Sequence, residues 1–188
     1  GGSNVAIGHL SLDANTTASN NTAVGLSALG ANTTAAYNVA IGMNALLLNT
    51  TGASNTAVGA NSLDANTTAS YNTAVGHNSM SANTTAADNT ALGYGTLYTN
   101  TTGAGNTAVG RSALYTNSTA ADNTAVGYQT LQNNSTGASG VAIGKGALAA
   151  NTTASYNTAV GQNALVTATT GHSNVGVGYL ALRDVTDG

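Results

Sequence analysis

The pentapeptide Asn21-Thr22-Ala23-Val24-Gly25 returns every seventeen residues with small changes, and its spacing decides how the chain is read. Its glycine falls at Gly8, Gly25, Gly42, Gly59, Gly76, Gly93, Gly110, Gly127, Gly144, Gly161 and Gly178, without an insertion. Eleven repeats account for 187 of the 188 residues, and Gly188 stands at the first position of a twelfth. A strict short period overrides the globular prior that this length would suggest and points to a solenoid.

Numbering each repeat from 1 to 17, position 5 is Val or Thr, position 6 is Ala in ten repeats, position 7 is Val, Ile or Leu and position 8 is always Gly. Alternation along an extended segment places 5 and 7 on one face and 6 on the other. The β-branched residues suit a pleated strand, so the expectation is a short strand with 5 and 7 facing a core and alanine facing out. Glycine then bends the chain, and position 9 varies freely, as a solvent-facing position would. Position 11 is always Ala, Ser or Thr and position 12 is Leu in ten repeats, Met80 being the exception. A second short strand over positions 10 to 14 is expected, with the leucine inward.

Asn recurs at position 4 in ten repeats and at position 15 in nine, followed by Thr or Ser and then Thr in most copies. Asparagine tolerates left-handed backbone and can bond to its copy one coil away, so two asparagine ladders should pin the turn. Seventeen residues are too few for a helix pair, and Gly, Thr, Asn and Val are poor helix formers. The expected fold is therefore all-β: a parallel β-solenoid (β-roll) of eleven 17-residue coils over residues 1–188, a single array without caps. At the inter-strand spacing of ~4.8 Å per coil, the rod would be about 50 Å long. Uncapped solenoid ends favour end-to-end association, so the chain reads as a segment of a longer fibre or a head-to-tail stacking unit. The last repeat is the least regular: Gly176 replaces Ala, Val185 stands where a ladder asparagine would, as Ala168 does in the repeat before it, and Arg183-Asp184 lies nearby.

Composition narrows function. Only nine residues are charged, Arg111, Lys145, Arg183 and six Asp, for a net charge of -3, which builds neither a nucleic-acid face nor an acidic tail. There is no Cys, hence no disulfide framework or thiol nucleophile. No stretch approaches the ~20 apolar residues of a membrane span, and the start Gly1-Gly2-Ser3-Asn4 has no signal-peptide pattern. His9, His77 and His172 are scattered, Asp13 and Asp64 lie three coils apart, and the serines and threonines have no base beside them. The expectation is not an enzyme, with no catalytic, metal or cofactor site.

Three surface features remain. The alanine stripe Ala6, Ala23, Ala40, Ala57, Ala74, Ala91, Ala108, Ala125, Ala142 and Ala159 is the expected oligomer interface, because smooth outward alanines invite close packing. The turn residues Asn15, Asn32, Asn49, Asn66, Asn83, Asn100, Asn117, Asn134 and Asn151 each open an Asn-x-Ser/Thr sequon, so they read either as the ladder or as a row of N-glycosylation acceptors. Stacked threonines raise an ice-binding face, although adjacent Thr16 and Thr17 point opposite ways in a strand. Tyr94, Tyr128 and Tyr179 at position 9, with Tyr98 and Tyr115 at position 13, are aromatics of the kind that grip carbohydrate.

The strings Asn4-Val5-Ala6-Ile7-Gly8, Asn38-Val39-Ala40-Ile41-Gly42 and Gly140-Val141-Ala142-Ile143-Gly144 resemble the NSVAIG-type head repeats of YadA-like trimeric autotransporter adhesins. The longer arrays are similar to repeat shafts of phage tail fibres and other surface proteins. The resemblance covers the whole chain. It implies a left-handed β-roll, three chains packed along their rolls with the alanine-bearing strand toward the trimer axis, and a place outside the cell, on its surface or on a virion. Departures are Thr for the family's Val at position 5 in seven repeats, the added Asn-Thr-Thr turn, and no neck, stalk or anchor. The expected function is a structural extracellular fibre or adhesin-like shaft, assembled laterally and end to end, whose partners are further copies of itself and surface carbohydrate or a host receptor. A glycosylated self-assembling filament and an ice-binding solenoid are the alternatives.

Overall fold

The computed structural model describes residues 1–184. Val185, one of the two departures from the position-15 ladder, lies outside the described residues. Eleven three-residue strands run from β1 (Val5–Ile7) and β2 (Thr22–Val24) at every seventeenth residue to β11 (Val175–Val177). They form one parallel sheet in sequence order, with no helix among the described residues. Pairing is in register: Thr22 faces Val39, Ala23 faces Ala40 and Val24 faces Ile41. Each coil therefore lays the same residue on its copy, and the chain is a parallel β-solenoid.

The strand phase is the reverse of the expected one. Ala23, Ala40 and every later alanine of the stripe through Ala159 are fully buried inside the single chain, in the same core as the position-12 leucines. Only Ala6, on the first coil, is exposed. Positions 5 and 7 project outward instead, as Ile41, Leu92 and Ile143 show at about 40% exposure each. The physical reason is thickness. A three-residue strand and a tight return wall leave room for one large side chain per coil, and leucine takes it; the position opposite must then be small, since interiors close-pack by matching large to small. The alanines consequently cannot serve as a surface for another chain.

The second expected strand is also absent. Positions 9 to 14 form consecutive turns, with left-handed backbone at position 10 and again at the inward leucine, as at Ser27 (φ 55°) and Leu29 (φ 52°). A leucine there costs roughly 1–2 kcal/mol relative to right-handed backbone. Alternate amides reach neighbouring coils, Ser27 N–H to the His9 carbonyl (2.9 Å) and Leu29 N–H to that of Ala45 (2.9 Å), while Ala28 and Gly30 close local turns. The wall is thus a hydrogen-bonded stack of turns.

Glycine at position 8 is required twice over. Gly25 has φ 136°, and a Cβ there would lie 2.6 Å from the Gly42 carbonyl oxygen of the next coil. The bend and the close coil-to-coil stacking both exclude a side chain.

Candidate functional site

Two surfaces are built by the repeat, and one interior device fixes them. The first surface is the outer face of the sheet: a column of Val, Ile or Leu at position 7 beside a column of Thr or Val at position 5. β-branched side chains stand well on such a pleated face, and in-register pairing makes the columns straight. Tyr37, Tyr71 and Tyr156, each about two-thirds exposed, flank it at position 3. Those tyrosines were not singled out by sequence reasoning; their shared phase was the available signal.

The interior device is the pair of asparagine ladders. At position 4 the Asn21 side-chain oxygen accepts the Asn38 backbone N–H (2.9 Å), and its Nδ2 donates across the coil to the Ala35 carbonyl (2.9 Å). At position 15 Asn66 Nδ2 donates both to Asn49 Oδ1 (2.8 Å) and to the Ala69 carbonyl (3.0 Å), and Asn83 Nδ2 donates to Asn66 Oδ1 (3.0 Å). Asn32 and its copies through Asn151 are buried, and only Asn15 on the first coil is half-exposed. The side-chain nitrogen that a glycan would need is inside the folded coil and already donating. Buried amides of this kind are retained when each donor and acceptor is matched.

The threonines divide by position. Thr50 Oγ1 at position 16 donates to the Thr67 carbonyl of the next coil (3.0 Å), so this column stitches coils together. Thr34, Thr51, Thr68 and their position-17 copies are exposed in single file.

The second surface is the row at position 9, just past the glycine bend, where His9, Tyr94, Arg111, Tyr128 and Lys145 are all exposed. His77 and Tyr94 rings lie 5.5 Å apart, Arg111 sits 5.7 Å from the Tyr94 ring centre and 5.8 Å from that of Tyr128, and Lys145 Nζ is 5.9 Å from Tyr128. Tyr98 and Tyr115 stack at 5.0 Å on the return wall. The scattered histidines stay apart, His172 accepting the Ser155 backbone N–H through Nδ1 (2.9 Å). Among the described residues no three His or Asp side chains come together as a metal site.

Asp64 stands at position 13, on the stacked turns of the return wall. Burial pushes its carboxyl above the ordinary range, against smaller opposing hydrogen bonds from Ser81 and from the backbone of Asp64 and Ala65. One of its carboxyl oxygens is buried without a partner.

Comparison with protein-family models, curated proteins and solved structures returned no match. No helix among the described residues is long and apolar enough to cross a membrane.

Proposed function

We propose that this chain is the shaft of an extracellular or virion-surface fibre, held side by side to copies of itself through the outer strand face. The observation that carries the reading is the unbroken pair of columns at positions 5 and 7, running through all eleven strands. A straight apolar column is best covered by a surface of identical pitch. Another copy of the same solenoid supplies that pitch, whereas a globular partner would fall out of step within a few coils. Chains aligned this way bury Val24, Val58, Leu92 and their copies while leaving the position-9 row at the rim, in the pattern of apolar centre and polar edge common to protein interfaces.

The resemblance to trimeric adhesin heads supports three chains per fibre, with the strand face toward the shared axis, and a place on a cell or virion surface. Head-to-tail stacking of coils adds length by the same parallel pairing that joins consecutive coils within the chain. No chemical reaction is assigned to the shaft. The asparagines, whose side-chain nitrogens already donate to a backbone carbonyl in each coil, favour the ladder over a glycosylated filament, and the single-file threonines favour the shaft over an ice-binding face.

Electron microscopy combined with light-scattering mass measurement tests the proposal. Rods containing several chains, about 50 Å long or in multiples of that length, are expected from the inter-coil spacing. Free short monomers at every concentration would refute it.

A further inference from the structure

Five consecutive coils carry His77, Tyr94, Arg111, Tyr128 and Lys145 at position 9, and this run differs from the rest of the row. The chain has three Lys and Arg residues in all, and two of them are here. The third, Arg183, pairs with Asp184 at 3.4 Å. Among the described residues neither Arg111 nor Lys145 has a carboxylate within ion-pair distance; each lies against tyrosine rings instead. Position 9 holds no acid in any coil. The result is an exposed strip in which, from Tyr94 to Lys145, aromatic and cationic groups alternate at one coil per step and touch through cation–π contacts, with the His77 ring against Tyr94 at its end.

We propose that this strip binds an extended acidic polysaccharide carrying one anionic group per disaccharide. Tyr94 and Tyr128 stand two coils apart, as do Arg111 and Lys145, so each kind of group recurs at about 10 Å given the inter-coil spacing. A sugar ring in an extended β-linked chain advances by roughly one coil step. A disaccharide therefore spans two coils, placing one ring on each tyrosine and one carboxylate or sulfate by each cation. Tyrosine offers an apolar ring face to the C–H side of a sugar together with a hydroxyl at its edge. Arginine and lysine supply charge-assisted hydrogen bonds to the anion.

Single-stranded nucleic acid fits less well. It carries a phosphate on every nucleotide, and two cations on a chain of net charge -3, with Asp88 and Asp122 across the strands on coils 6 and 8, cannot neutralise that density. The site is independent of the shaft assignment, because binding is read separately from assembly.

The test is fluorescence polarisation with an end-labelled hyaluronan decasaccharide, which alternates a uronate with a neutral amino sugar. The full chain should bind it, more weakly as salt rises, and Arg111→Gln/Lys145→Gln should weaken binding at least about tenfold through loss of both charge-assisted contacts. Tyr94→Leu/Tyr128→Leu should also weaken it, whereas Arg183→Gln should not. Arg111→Lys/Lys145→Arg guards against a folding artefact and should retain binding. No binding, binding unchanged in the double Gln variant, equal binding of a neutral cello-oligosaccharide, or tighter binding of a labelled oligothymidylate would each overturn the proposal.

Discussion

Ala91 is fully buried, while Leu92, the next residue on the same three-residue strand, is 37% exposed. The larger and more apolar side chain is thus the one turned to solvent. In a monomer that arrangement would waste hydrophobic surface. It is explained if the roll interior admits only alanine opposite the position-12 residue and the outer face is covered by another chain.

The interior half of this explanation predicts a contrast between adjacent residues. Ala91→Val should lower stability by about 1–3 kcal/mol through overpacking. Thr90→Val, on the outer face and already represented by Val39 at the equivalent position, should stay within about 0.5 kcal/mol. Urea denaturation midpoints at one fixed protein concentration measure both. Equal effects would mean that the strand phase is not the one described.

The position-15 ladder predicts a pH-dependent defect. Asn83→Asp keeps an acceptor for Asn100 Nδ2 but removes the donor to Asn66 Oδ1 and to the Ala86 carbonyl, and it buries a charge. Burial and the facing carbonyl raise the introduced carboxyl's folded pKa above its unfolded value. The penalty is then complete above the folded pKa, about 3 kcal/mol or more at pH 7, and shrinks as pH falls and the proton restores a donor. Thermal melts between pH 3 and 8 should show the gap to wild type narrowing toward acid. A gap independent of pH would contradict the assigned hydrogen bonds.

Asp64 gives a second pH test with the native chain. Because burial raises its folded pKa, the folded state holds the proton more tightly than the unfolded state, and stability falls as pH rises from the ordinary carboxyl value of 3.8 through the raised one. Asp64→Asn should therefore raise the melting temperature at pH 7 and bring no comparable gain below pH 3.8. A lower melting temperature at pH 7 would show that the carboxylate is stabilising.

The seventeen-residue period, the parallel stacking and both asparagine ladders are legible in the sequence, since each follows from a residue type repeated at one phase. The strand phase is not legible from β-propensity, because Val and Thr suit the outer face of a thin roll as well as a thick core. Repetition itself carries the better signal: Ala at 6 and Leu at 12 vary least because packing confines them, while 5 and 7 tolerate substitution because they are outside. The return wall fails for a related reason. Leucine in left-handed backbone leaves no propensity signature at position 12, although Gly95, Gly146, Asn44, Asn61 and Asn78 at position 10 mark a site that accepts such backbone. At position 9 the sequence shows tyrosines, an arginine and a lysine sharing one phase, whereas the contacts of Arg111 and Lys145 with the Tyr94 and Tyr128 rings depend on side-chain placement that the repeat does not encode.

Side-by-side association through positions 5 and 7 is the central claim, and sedimentation velocity of wild type against Leu92→Glu/Val126→Glu tests it most directly. Both glutamates would stand on the outer face, so the far-ultraviolet spectrum should be unchanged. Wild type should sediment as rods of several chains side by side, and the double variant as single-width rods, alone or stacked end to end, with a higher frictional ratio. A monomeric wild type, or side-by-side packing that survives both glutamates, would contradict the account.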